Sequence, residues 1–170
     1  VVCGLGPTGG EPALRRAYEL ARERELDVAV VHAVDLPHAF LRHADAAALE
    51  TARAAAIDRL GPHLTELGGA AALARDLELT PAPAARALID AAQARRAARL
   101  VLGGHERAGF ADLFGHTTRA VLARAPCPVW IQNGPVRPVR RILAALDPAA
   151  AGARAVLDLA REEARAFGAA

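Results

Sequence analysis

Residues 100–131 read LVLGGHERAGFADLFGHTTRAVLARAPCPVWI. The stretch opens with a short apolar run that ends at two glycines, Gly103 and Gly104, before a polar loop. A segment of helical character follows at residues 115–124, and a second apolar run occupies residues 128–132. Two apolar strands joined through a helix are typical of the parallel sheets of α/β domains, in which both faces of the sheet are covered.

The same alternation of apolar and amphipathic segments extends to the start of the chain. Residues 11–25 space their apolar side chains at helical intervals, as in a helix packed on a sheet. We expect a helix break near Gly61 and Pro62, because proline removes a helical hydrogen bond. The pattern predicts strands at residues 1–5, 27–34, 70–79, 100–102 and 128–132, and helices at residues 11–25, 43–67, 81–96 and 115–124. The predicted fold class is α/β, a doubly wound, Rossmann-like, five-stranded parallel sheet with helices on both faces.

The last part of the chain repeats features of the first. LGP at residue 5 returns as LDP at residue 146, and LARE at residue 20 returns at residue 159. A repeat at this scale indicates a second copy of the domain. The absence of methionine and the start inside an apolar run also suggest a fragment of a longer chain. The predicted organisation is a domain at 1–133, a linker at 134–139, and at 140–170 the first strand and helix of a truncated second copy with an exposed apolar face.

Composition and charge exclude several classes of protein. Hydrophobic residues make up 53% of the chain and charged residues 24%, which excludes a disordered chain. The net charge is +2, from 21 basic and 19 acidic residues, so there is no electrostatic case for DNA. No apolar stretch reaches the roughly 18 residues of a membrane span. Cys3 and Cys127 lie in apolar runs, and buried free thiols favour a cytoplasmic protein.

The residues that usually perform chemistry are sparse, and we predict that the chain is not an enzyme. The six histidines show no zinc-ligand spacing, so no metal site is predicted. The chain contains neither lysine nor serine, which excludes Schiff-base chemistry and a serine nucleophile. We interpret His105, Glu106 and His116 as solvated loop residues rather than as a general acid–base set.

Several segments resemble the universal stress protein family. They are ALRRAYELARE after the first strand, DVAVVHAVD in the second strand, and APCPV at residues 125–129, which is the most specific. The resemblance covers residues 1–133, and with the repeat it is similar to the tandem, two-domain members of bacteria. It implies an adenine nucleotide alpha hydrolase-like fold. It also implies a role in bacterial stress tolerance through binding and regulation, without catalysis.

Nucleotide-binding members of that family carry G-x2-G-x9-G-[S/T] in the glycine loop, where backbone N–H groups approach a phosphate. Here Gly103 and Gly115 fit the outer glycines, but Glu106 occupies the position of the second glycine. The resemblance also implies an aspartate after the first strand for the adenosine end. Gly6 stands there, and Asp147 is the matching residue of the second copy. The candidate cofactor-binding residues, in a partly degraded motif, are Gly103, Gly109, Gly115, His116, Thr117 and Gly6.

These residues leave two functions open. One is a non-catalytic binding or scaffold module with a degraded nucleotide loop, whose partners are regulatory proteins. The other is a stress-response switch that binds ATP or AMP with Mg²⁺ and hydrolyses ATP slowly. In both, the last strand is a sheet edge, and the resemblance implies pairing through it with the second domain of the same chain or in a homodimer. Trp130 is either an anchor of that interface or an ordinary core residue.

Overall fold

Parallel strands form one sheet in the part of the chain that the structure, a computed structural model, describes: residues 1–6, 10–34, 46–104 and 115–170. Neighbouring strands are parallel throughout. This confirms the predicted α/β fold with a five-stranded parallel sheet. The strands are β1 (Val2–Leu5), β2 (Ala29–Ala33), β3 (Leu77–Thr80), β4 (Leu100–Gly103) and β5 (Val129–Gln132). Their order across the sheet is β3-β2-β1-β4-β5.

Helices connect the strands, and the chain separates into two compact units, Val1–Val136 and Arg137–Ala170. None of the described helices is long and apolar enough to cross a membrane. The first unit contains α1 (Glu11–Glu23), α2 (Ala46–Gly68), α3 (Ala72–Asp76), α4 (Ala84–Ala94) and α5 (His116–Leu122), and the second contains α6 (Ala153–Phe167).

Both faces of the sheet are covered, because alternate strand residues point to opposite sides. On one face, Leu100 and Leu102 of β4 join Leu88 of α4 in a buried apolar cluster. On the other face, α1 packs against β1 and β4, and α2 packs against α1. Leu14 of α1 and Leu64 of α2 are fully buried there. The core therefore occupies two layers, one on each side of the sheet.

A buried polar contact ties α1, α2 and α3 together. The Tyr18 hydroxyl of α1 donates to Asp76 Oδ2 at 2.6 Å, and Arg75 Nε donates to Asp76 Oδ1 at 2.6 Å. Asp76 is only 4% exposed. A Cβ at Gly68 would lie 2.6 Å from the Tyr18 hydroxyl, so the end of α2 must be glycine for this contact to form. Burial and the Asp76 carboxylate raise the pKa of Tyr18 above its ordinary value.

Two local expectations are wrong. Within residues 70–79, expected as a strand, residues 72–76 form α3 instead, and the strand β3 begins only at Leu77. The buried Ala72 packs this turn beside α2, and alanine, leucine and arginine all favour a helix. The expected break near Pro62 is absent, since α2 continues through it. Leu60 and Leu64 are buried on either side of Pro62, and packing of this face outweighs the lost hydrogen bond.

The second unit contains a helix at the predicted place but no strand in its described residues. The N–H of Ile142 donates to the carbonyl of Ala170 at 2.9 Å. The N–H of Ala170 donates in turn to the carbonyl of Arg140 at 3.1 Å. Leu143 is 94% exposed. A strand needs a neighbouring strand to complete its hydrogen bonds, and among the described residues this segment bonds to residue 170 instead. The repeat of a whole domain stays a prediction.

Candidate functional site

A cavity of about 250 Å³ lies where the strand order of the sheet reverses. The chain passes from β1 to β2 on one side, and β4 lies on the other side of β1. In open α/β sheets, the crevice at the carboxyl ends of the strands at such a reversal is where ligands bind. The described residues that line the cavity are Gly4, Leu5, Gly6, Gly10, Val31, Ala33, Ala84, Leu88, Leu102, Gly103, Gly104, Thr117 and Thr118.

The floor of the cavity is apolar and depends on Gly4. A Cβ at Gly4 would lie 2.8 Å from Leu88 Cδ2 and 2.8 Å from Leu102 Cδ2. Because carbon atoms pack at about 3.5–4.0 Å, those leucines can approach β1 only if residue 4 has no side chain. The result is an apolar floor to which Leu88 and Leu102 contribute.

The rim above β4 is built from two glycines. Gly103 pairs with Gln132 of β5, and the Gly104 N–H donates to the Gln132 carbonyl at 2.8 Å. A Cβ at Gly104 would overlap the carboxamide oxygen of Asn133. The backbone therefore stays close to β5, and Gly104 has a structural requirement of its own. Sequence reasoning missed Gly104, although the glycine doublet was its signal.

The polar part of the lining comes from α5. Gly115 is the N-cap residue of that helix, and no side chain caps the helix. Thr117 and the buried Thr118 both line the cavity, whereas His116 is exposed and does not. Two threonine hydroxyls can each donate one hydrogen bond and accept others. The cavity therefore combines an apolar floor with a neutral polar wall.

The predicted site residues are only partly brought together. Gly6, Gly103 and Thr117 line the cavity. Gly115 and His116 begin α5 without lining it. Gly109 lies outside the described residues, as do His105 and Glu106. Sequence reasoning missed Ala84 and Leu88, which come from α4 and carry no motif.

A buried histidine fixes the end of β1 beside the cavity. His32 of β2 is 4% exposed, and its Nδ1 lies 2.8 Å from the Leu5 carbonyl oxygen. Its Nε2 lies 3.0 Å from Nη2 of Arg59 on α2. A carbonyl can only accept and a guanidinium can only donate, so Nδ1 carries the proton and Nε2 accepts. Burial lowers the pKa of His32, the hydrogen bond to the Leu5 carbonyl acts in the opposite direction, and the Arg59 charge lowers the pKa further. A proton on Nδ1 and an acceptor at Nε2 define the neutral tautomer.

The cysteines do not form a reactive pair. Both thiols are free. Cys3 is buried, as predicted, and burial raises its pKa to about 12. Cys127 is only half-buried, so the expectation of a buried thiol is wrong at this position. Burial still raises its pKa. Among the described residues, no group of three or more histidine, cysteine or acidic side chains could hold a metal ion.

Trp130 packs in a polar cluster on β5. Its indole N–H donates to Gln132 Oε1 at 3.1 Å. The buried Arg16 of α1 donates from Nε to the same oxygen at 3.2 Å, and its guanidinium lies 5.0 Å from the indole centroid. Arg16 also pairs with Glu19 at 3.0 Å. These contacts hold β5 to α1 within the first unit, and pairing of β5 with another domain stays a prediction.

The fold and its cavity define the class of protein, a doubly wound α/β domain with a ligand-sized cavity at the reversal of strand order. A sequence model described as Universal stress protein family matches residues 1–132. The chain therefore belongs to the universal stress protein family. The tandem, two-domain type stays a prediction.

Solved structures of the same family have the same fold. A universal stress protein from Archaeoglobus fulgidus is 25% identical, with a TM-score of 0.55, and the match covers 76% of this chain and 95% of that chain. The universal stress protein from Archaeoglobus fulgidus in complex with dAMP is 24% identical, with a TM-score of 0.53 and coverage of 76% and 94%. UspA from Lactobacillus plantarum is 18% identical, with a TM-score of 0.59 and coverage of 76% and 94%. No curated protein matches the chain.

Proposed function

We propose that the first unit is a non-catalytic module that binds an adenine nucleotide and acts in bacterial stress tolerance. The observation that carries this proposal is the cavity of about 250 Å³ at the reversal of strand order, with an apolar floor and a rim of glycines and threonines. Further support comes from the universal stress protein of Archaeoglobus fulgidus that was solved in complex with dAMP.

The two parts of the cavity suit the two ends of a nucleotide. The base would lie on the hydrocarbon of Leu88 and Leu102, which Gly4 admits. The phosphate end would meet Gly103 and the hydroxyl of Thr117, because a backbone without side chains lets an anion approach closely. The N–H of Gly104 is already donated to Gln132, so in this arrangement it is not a phosphate ligand.

The lining favours AMP over Mg-ATP. Among the described lining residues there is no carboxylate, and Mg²⁺ in proteins is usually held by one or two carboxylates together with phosphates. A nucleotide with a single phosphate requires no such metal. The same described lining holds no cysteine or histidine, and serine and lysine are absent from the chain. We therefore assign binding without hydrolysis.

Calorimetry with a cavity-filling variant tests this assignment. AMP and Mg-ATP are titrated separately into the 170-residue chain, into Ala84→Leu and into Ala94→Leu. Ala84 begins α4 and lines the cavity, whereas Ala94 is exposed at the other end of the same helix. We expect AMP to bind the wild-type chain and Ala94→Leu equally, and Ala84→Leu to bind at least about tenfold more weakly because a leucine occupies part of the cavity. No heat from the folded wild-type chain, or equal binding by Ala84→Leu, would overturn the proposal.

A scaffold is the second candidate, and the edge strand favours it. Within the described residues, β5 pairs only with β4, and three of its four residues are partly exposed. An edge of this kind invites pairing with another strand, either in the second domain of the chain or in a homodimer. Sedimentation equilibrium of the wild-type chain and of Ile131→Glu tests it. A wild-type chain that stays monomeric at high concentration would contradict the homodimer.

A further inference from the structure

The peptide group between Leu5 and Gly6 forms part of the cavity wall. Its carbonyl oxygen is 2.8 Å from Nδ1 of the buried His32, which donates to it. The structure contains no cis peptide among the described residues. In a planar trans peptide the C=O and N–H groups point in opposite directions. A contact that fixes the Leu5 carbonyl therefore also fixes the direction of the Gly6 N–H.

The hydrogen bonds of β1 give that direction. The Val1 carbonyl accepts from Ala29 of β2 at 2.8 Å. Carbonyls two residues apart point to the same side of a strand, so the Leu5 carbonyl also faces β2, where His32 meets it. The Gly6 N–H then faces the opposite neighbour, β4. Gly6 and Gly103 of β4 both line the cavity, and Gly6 is exposed.

Two further contacts hold this arrangement. Arg59 donates to Nε2 of His32 at 3.0 Å, which keeps the proton on Nδ1 and so maintains the donor to Leu5. The Arg59 guanidinium meets the imidazole through its Nη2. The Leu5 side chain packs on Gly10, where a Cβ would lie 2.6 Å from Leu5 Cδ2. Leu5 is thus restrained through both its carbonyl and its side chain.

We propose that His32, oriented by Arg59, is a positioning residue that directs the Gly6 N–H into the cavity as a hydrogen-bond donor to an acceptor oxygen of the bound nucleotide. The inference rests on the proposed function for the identity of the ligand. It adds a donor that belongs to the backbone and whose direction is set by a side chain on the neighbouring strand. His32 contacts the Leu5 carbonyl and stands outside the lining of the cavity.

The test combines AMP calorimetry with the NMR signal of the Gly6 amide in the 170-residue chain labelled with ¹⁵N-glycine. His32→Leu removes both hydrogen bonds of the imidazole, whereas His32→Asn retains an N–H donor near the position of Nδ1. Arg59→Leu removes the orienting donor. Arg53→Leu is the matched control, since Arg53 lies on the same helix and pairs with Glu50 at 3.1 Å.

We expect His32→Leu to bind AMP about tenfold more weakly, the effect of one hydrogen bond, and to move the Gly6 amide resonance. His32→Asn should restore binding to within about threefold of the wild-type chain, and Arg59→Leu should weaken it about threefold. Arg53→Leu should leave both readouts unchanged. If His32→Leu does not fold, Arg59→Leu and His32→Asn carry the same comparison.

Failure of this inference is distinguishable from failure of the proposed function. If the wild-type chain does not bind AMP, the proposed function is wrong, and the Gly6 amide alone decides the positioning role of His32. An unchanged Gly6 resonance in folded His32→Leu and Arg59→Leu overturns the inference. Normal AMP binding by both variants overturns it as well, even where the resonance moves.

Discussion

Replacing Gly4 with alanine tests whether the cavity floor depends on a missing side chain. The new Cβ would lie 2.8 Å from Leu88 Cδ2, 2.8 Å from Leu102 Cδ2 and 3.0 Å from Leu88 Cδ1. Both leucines are 4% exposed, so they can relieve the overlap mainly by moving toward the cavity. Overpacking of this kind costs about 1–3 kcal/mol, and alanine in a strand recovers about 0.5–1 kcal/mol relative to glycine.

We therefore expect Gly4→Ala to lower the free energy of unfolding by about 1–2 kcal/mol and to weaken AMP binding as the leucines narrow the cavity. Urea denaturation gives the first quantity and calorimetry the second. Gly61→Ala is the matched control, because a Cβ there would meet only Leu73, at 3.7 Å and 3.9 Å. Gly61 lies within α2, so alanine should stabilise the chain by up to about 1 kcal/mol.

A double variant separates the overlap from other effects. Leu88→Ala alone should cost about 2–5 kcal/mol through the space it leaves. The double variant Gly4→Ala with Leu88→Ala should lose less free energy of unfolding than the sum of the two single losses, by about 1 kcal/mol or more. The reason is that the new methyl group no longer overlaps Leu88. Additive costs, or a Gly4→Ala chain as stable as the wild type with unchanged AMP binding, would refute the reasoning.

Three further predictions concern buried groups. Tyr18→Phe removes the hydroxyl that donates to the Asp76 carboxylate at 2.6 Å. The free energy of unfolding, measured in urea, should fall by about 2 kcal/mol. A change below about 0.5 kcal/mol would contradict this. Burial lowers the pKa of His32, so at acid pH the unfolded chain binds a proton that the folded chain does not. The free energy of unfolding should therefore fall as the pH drops below about 6.5, by up to about 1.4 kcal/mol per pH unit. His32→Asn should remove this part of the dependence of stability on pH. Burial raises the pKa of Cys3 to about 12. Iodoacetamide at neutral pH should therefore label Cys127 and leave Cys3 unlabelled until the chain is unfolded. Equal labelling of both cysteines in the folded chain would show that Cys3 is accessible.

The fold was predictable because its central strands are short and buried on both sides. Val2–Leu5 and Leu100–Gly103 read as continuous apolar runs, and such runs between amphipathic segments indicate a parallel sheet. Residues 70–79 were not predictable in the same way. Leu73, Leu77 and Leu79 alternate as in a strand, but the burial of Ala72 beside α2 is a tertiary effect that a local pattern does not contain.

The candidate site was predictable only where a motif marks it. The glycine loop indicated Gly103 and Thr117, which line the cavity. Leu88 belongs to the site because α4 crosses the face of the sheet above Gly4, and nothing in its own segment distinguishes it from other core leucines. The contact between His32 and the Leu5 carbonyl depends on strand register, so it could be found only after the sheet was assembled.

The position of the cavity between β1 and β4 has a consequence for folding. Val2 pairs with Leu100 in the two strands whose carboxyl ends flank the cavity, and pairings between distant parts of a chain form slowly because a long loop must first be closed. The cavity is therefore complete only when the sheet is complete. A ligand held there stabilises the finished domain over every partly folded state, by about 2.7 kcal/mol at a hundred times its dissociation constant. If that ligand is the proposed nucleotide, the resistance of the chain to proteases should rise with the cellular concentration of the nucleotide.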